Sequence, residues 1–192
     1  MQRSIILFVC ALVLVLCAGS VWAVTPTPPA DTLKVDYFAN ANTAGAPDGT
    51  VRITNPGTSG NGLCAAVFVF DAFQEMSECC SCYVSPDGLR TLSVNTDLTS
   101  NPLTGVILNT GVVKMVSTRA NSGTCPIPTG LTPTATLRSW STHVQNSNFA
   151  VTETASQDAT FSATEQNLLQ SECHAIHLTG SGKGICSCGT GD

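Results

Sequence analysis

The sequence predicts a mainly β chain: one antiparallel, sandwich-like domain with a short helix near its C-terminus, stapled by disulfides. Three observations carry that prediction. Short alternating segments follow one another, separated by Asn-, Gly- and Pro-containing turns, the spacing of a sandwich or barrel. Charged residues are only 11% of the chain while its 25 threonines supply polar surface, a balance that suits strands. An N-terminal leader sends the chain to a compartment in which cysteines oxidise.

The leader comes first. Met1-Gln2-Arg3 is a basic start, "SIILFVCALVLVLCAG" an apolar run and "SVWA" a small-x-small cleavage site, so a cut is expected after Ala23. A membrane span needs about 20 apolar residues, and this run breaks earlier, at Gly19-Ser20. Lipidation at Cys17 competes with secretion, but the bulky Leu16 precedes it where lipoprotein signals carry a small residue. Residues 24–32, containing "TPTPPADT", read as an extended Pro-rich spacer, and residues 33–192 as the domain. No second apolar run follows, so no membrane span is expected after the signal is removed.

Within the domain, "LKVDYFA" and "GTVRITNPG" alternate as strands, the second ending in an Asn55-Pro56-Gly57 turn. "LCAAVFVFDAF", Leu63 to Phe73, is apolar on both alternating faces, as in a central strand covered on both sides. "SPDG" is a turn, and "LRTLSVN", "TGVILN", "GVVKMVST", "ATLRSWSTHV" and "NFAVTET" read as further strands. In "SATEQNLLQSECHAI", Ser162 and Glu165 form a capping box, with Leu168, Leu169, Glu172, Cys173 and Ile176 at helical spacing, which places Cys173 on the buried face.

Export fixes the cysteine arithmetic. Cys10 and Cys17 leave with the signal, and Cys64, Cys79, Cys80, Cys82, Cys125, Cys173, Cys186 and Cys188 remain, an even set expected to form four disulfides. Their connectivity does not follow from sequence. Adjacent Cys79 and Cys80 would close a strained ring together, whereas in an extended segment they point to opposite faces and reach different partners. The competing reading is a metal site for copper or zinc, built from Cys79, Cys80, Cys82, Cys186 and Cys188 with His174 and His177. "CCSC" and "CSC" lack the two-residue gap usual for structural zinc, and metal binding requires reduced thiols, which export disfavours.

Other chemistries find little support. The net charge is −5, and −6 once Arg3 leaves, with no basic run, so nucleic acid and anionic membranes are not expected partners. "GSGKG" lacks the glycine and the hydroxyl residue of a phosphate loop and reads as a flexible turn. There is no G-x-S-x-G elbow and no H-E-x-x-H helix, and His143 in "WSTHVQ" stands alone on a strand. An enzyme is therefore not the favoured reading, and no cofactor is expected. Trp140, Tyr37, Tyr83 and the phenylalanines offer a carbohydrate groove or, the preferred reading, core; "NTDLTSN" offers calcium ligands or a self-bonded turn.

Taken together, "LCAAVFVFD", "ECCSC", "SPDGLRTLSVNTDLTSNPLTG" and "GICSCG" resemble a group of uncharacterised secreted bacterial proteins. The resemblance implies export in a bacterium and brings no activity with it. The expected function is a structural or interaction module in the periplasm, at the cell surface or secreted, partnered by a protein or by copies of itself. The alternative is an extracytoplasmic binder of metal or glycan.

Overall fold

The structure, a computed structural model, describes residues 32–134 and 136–191. The expected signal peptide, Cys10, Cys17 and nearly all of the Pro-rich spacer lie outside the described residues.

Among the described residues, ten strands form two five-stranded sheets, and every strand pair is antiparallel. The first sheet runs β4 (Met76–Val84), β3 (Leu63–Asp71), β6 (Gly111–Arg119), β1 (Leu33–Phe38), β9 (Gln157–Ala159). The second runs β10 (Thr190–Gly191), β5 (Leu89–Ser93), β2 (Thr50–Thr54), β7 (Arg138–Gln145), β8 (Ala150–Ala155). One helix, α1 (Ala163–Leu178), lies on the outer face of the first sheet, so that sheet is covered twice.

β3 shows the consequence in its residues. Leu63, Ala65, Val67 and Val69 join Val51, Ile53, Leu92, Val113 and Met115 between the sheets. Ala66, Phe68 and Phe70 face the other way, toward Leu169, Cys173 and Ile176 of α1. The strand is buried along eight of its nine residues, as its uninterrupted apolar run requires. It ends two residues earlier than its apolar run: Asp71 Oδ1 accepts N–H bonds from Phe73 (2.8 Å) and Glu75 (2.9 Å), closing the turn into β4 and leaving Phe73 84% exposed.

The chain crosses between sheets at both sides of the sandwich. On one side, β8 at the margin of the second sheet runs through Ser156 into β9 at the margin of the first; Ser156 bonds back to Ser139 O and, through its hydroxyl, to Asp36 Oδ2. On the other, the C-terminal tail lies along β4, with Cys79 N–H on Gly184 O (2.8 Å), and then pairs as β10 with β5. Such crossings are how sandwiches turn their corners.

Three expectations change. "TGVILN" forms no strand: residues 104–109 are a loop whose Val106 and Ile107 face solvent at 61% and 68%. Leu168 is 45% exposed, and the buried stripe of α1 is Leu169, Cys173 and Ile176. "GSGKG" is a turn but a fastened one, because the Asn101 side chain donates to Gly182 O (2.6 Å) and Asn101 O accepts from Gly184 N (2.7 Å). Gly184 itself has φ +79°, and a Cβ there would lie 2.6 Å from Ile176 Cγ2.

Candidate functional site

The sulfur cluster follows from the alternation of β4. Cys79 faces α1 and bonds Cys173; Cys80 and Cys82 face the space between the sheets and bond Cys186 and Cys188. Cys64 bonds Cys125, tying the start of β3 to the loop that follows β6. All eight cysteines are thus paired across 61 to 106 residues of sequence, and one strand carries three of the four bridges.

Of the seven residues of the metal alternative, five gather in two groups, one on each face of β4, and Cys186 and His174 fall in neither. Ligand atoms of Cys79, Cys173 and His177 lie within 4.8 Å of one another, as do those of Cys80, Cys82 and Cys188. His174 is exposed and belongs to neither group. Every sulfur concerned is spent in a disulfide, so neither group presents a thiolate to an ion in this oxidation state. His177 sits against the sulfurs, and burial, with the neighbouring His174 adding to it, holds its imidazole below the usual range.

Beside Cys79, sequence reasoning passed over Glu78. Its side chain is fully buried; Oε1 accepts the Asn101 N–H at 2.9 Å and Oε2 has no partner. Burial pushes its carboxyl up to about 7, against the lowering effects of the Asn101 bond and the Lys183 ammonium. The only signal in the sequence was an acid placed inside an otherwise buried strand.

A second polar group lines the β1 and β7 side of the interior: Lys34, Asp36, Ser139, Ser141 and His143 are all buried. Lys34 pairs with Asp158, its register partner on β9. His143 Nδ1 lies 3.1 Å from Tyr37 O, while Nε2 lies 2.8 Å from Thr154 Oγ1 and 3.3 Å from Asp36 Oδ1. A catalytic relay needs the acid on one ring nitrogen and the nucleophile on the other. Here acid and hydroxyl share Nε2 and a backbone carbonyl occupies Nδ1, the arrangement of a hydrogen-bonded strut between sheets.

Two clefts open at opposite ends of β3 and β6. At one end, a cleft of about 500 Å³ is lined by Asn61, Leu63, Tyr83, Arg119, Ser122 and Thr134. Gly62 is required there, since a Cβ would meet the Tyr83 ring at 2.4 Å. At the other, a cleft of about 260 Å³ lies between the β3–β4 turn and the 104–110 loop, walled by Phe73, Val106, Ile107 and Leu108 with Asp71 and Glu75 at its rim. Phe73, Val106 and Ile107 in its wall are all exposed.

The aromatic residues of the carbohydrate reading do not converge. Trp140 stands on the second sheet, Tyr83 on β4, and Tyr37 stacks on His143 with ring centroids 4.2 Å apart. The oxygen-rich "NTDLTSN" forms a single π-helical turn over Val94–Leu98 and the residues that follow it. Asp97 within it accepts from Ser93 N (2.7 Å) and from the Ser187 hydroxyl, so its carboxylate is committed to the fold.

Among the described residues no helix is long and apolar enough to cross a membrane. Compared with known proteins, the chain matches no family model, no curated protein and no solved structure.

Proposed function

We propose that the mature chain is an exported interaction module, acting at the bacterial cell surface, in the periplasm or outside the cell, and engaging a protein through the apolar cleft at Phe73, Val106 and Ile107. The observation that carries this reading is that those three exposed large side chains line one cleft. Apolar surface of that kind on a soluble domain marks a contact site. Four disulfides and the leader sequence support a location outside the cytoplasm, with removal of residues 1–23 as the entry step. The resemblance to secreted bacterial proteins points the same way.

The test has two arms. Exported protein should begin at Val24 and gain about 8 Da on full reduction, one hydrogen for each of the eight cysteines. A photo-crosslinking residue at position 73, introduced in the producing bacterium, should yield a discrete adduct that Ile107→Asp removes; a clean monomer band in intact cells would sink the proposal.

A glycan-binding reading draws on the other cleft, whose Tyr83 face, Arg119 and Asn61 are groups that recognise sugars. A glycan array on the purified domain separates the two readings, since saccharide binding lost on Tyr83→Ala would favour the second.

A further inference from the structure

We propose that β8 is a self-recognition edge, pairing antiparallel with β8 of a second copy about a two-fold axis through Thr152. This deepens the interaction reading above and rests on it for its biological setting, though the surface involved is a different one.

The sandwich has four sheet margins, and three are blunted. β4 is covered by the tail, through Gly184 and two disulfides. β10 is two residues long and β9 three. β8 is six residues long, exposed at every position, and free of Pro, Lys and Arg. Natural sheets guard their margins with shortness, proline, charge or cover; β8 carries one charge, Glu153, which is paired with Arg52, and no strand among the described residues pairs with its outer side.

The register follows from the hydrogen-bond phase. Ser156 donates its N–H to Ser139 O at 3.0 Å, and β7 and β8 pair without a shift. In an antiparallel ladder such pairs alternate, so Ala150, Thr152 and Thr154 turn their N–H and C=O toward β7, and Val151, Glu153 and Ala155 turn theirs outward. The outward carbonyl of Ala155 already accepts from Gln157 Nε2 at 3.4 Å. Phe149, with φ +53°, ends the extended run on the other side. Val151 and Glu153 remain, with two donors and two acceptors.

Of the symmetric registers that place outward groups against outward groups, two pair both Val151 and Glu153. One sets Glu153 opposite Glu153 of the second copy and needs the Ala155 carbonyl; directly opposed like charges disfavour it. The other sets Val151 opposite Glu153 of the second copy and the reverse, making four bonds with only the free groups. At its centre the two Thr152 side chains meet in the close, non-hydrogen-bonded site, a favoured cross-strand pair. Each Glu153 carboxylate keeps its ion pair to Arg52, 2.7 Å away on its own sheet. The product is one continuous ten-stranded sheet through two molecules.

A single strand per copy makes an interface below the ~1,000 Å² of stable complexes, so the dimer is a weak one. Sedimentation equilibrium of the oxidised mature chain from about 10 µM to about 1 mM should show the average mass rising toward two chains. Val151→Pro removes an outward donor from each copy and leaves the β7-facing bonds intact; it should weaken association about tenfold or more. Thr152→Lys places two ammonium groups at the centre and should do the same, and it serves if the proline variant fails to fold. A mass that stays monomeric at the highest concentration overturns the proposal, as does a dimer that both variants leave unchanged. A monomer that still forms the position-73 adduct in cells would refute self-pairing alone; a dimer without that adduct would refute only the cleft.

Discussion

At the residue scale, Glu78 is the most consequential side chain of the interior. It is a buried carboxyl raised to about 7 from an unfolded value near 4.5, so the folded state binds the extra proton between those values. Stability from this group is fully present below pH 4.5 and is lost as pH rises through about 7, a difference of about 3 kcal/mol. Glu78→Gln keeps an acceptor for the Asn101 N–H and removes the titration. Urea midpoints from pH 5 to pH 8 should therefore fall with pH in the parent and flatten in the variant; parallel curves would refute the assignment. Lys183, the cation that favours ionised Glu78, sits in the tail turn held by Asn101, so the pH effect bears on the tail.

At the scale of elements, the two-faced apolar run of β3 is what the sequence displayed best, while β4 was not read as a strand. An extended backbone was expected to point Cys79 and Cys80 to opposite faces; the strand does so, sets Cys82 with Cys80, and the disulfide partners follow those faces. The helix began where its capping box says, with Ser162 Oγ accepting from Glu165 N at 3.1 Å, although the Glu165 carboxylate turns to Lys114 (2.6 Å) instead of completing the box. Its buried face was harder to read, because Leu168 and Leu169 are adjacent and helical spacing admits either. Leu169→Ala should cost about 3 kcal/mol, the price of a fully enclosed leucine, while Leu168→Ala should stay within about 0.5 kcal/mol. Thermal unfolding of the two variants checks this, and similar losses would contradict the packing. "TGVILN" misled for a different reason: Val106-Ile107-Leu108 is an apolar run of strand-forming residues, but the adjoining β6 already has β3 and β1 on its two sides and leaves no margin beside it.

At the scale of the molecule, the tail is a strap. It leaves α1, is pinned by Asn101, follows β4, and crosses to β5, so it joins the two sheets on the side opposite the β8–β9 crossing. Two bridges hold it because it contributes little core of its own. They are not equivalent additions: with Cys80–Cys186 intact, Cys82–Cys188 closes a ring of only a few residues. Removing Cys82 and Cys188 together should cost about 2 kcal/mol, and removing Cys80 and Cys186 as well about 3 kcal/mol more, since with Cys79–Cys173 intact that bridge closes a loop of only about 15 residues. Denaturant midpoints of the two variants test it, and midpoints that stay at the parent's value would argue that the tail is held by its backbone bonds.

The sequence by itself determined the class of fold, the central strand, the helix start and the opposed directions of Cys79 and Cys80, because each depends on local periodicity. Tertiary structure alone decided which cysteine met which, that Glu78 lost its water, that Asp36 and His143 became a strut, and that Phe73, Val106 and Ile107 gathered at one end. Those outcomes depend on which distant strands lie side by side, and no short-range pattern encodes an order such as β4-β3-β6-β1-β9.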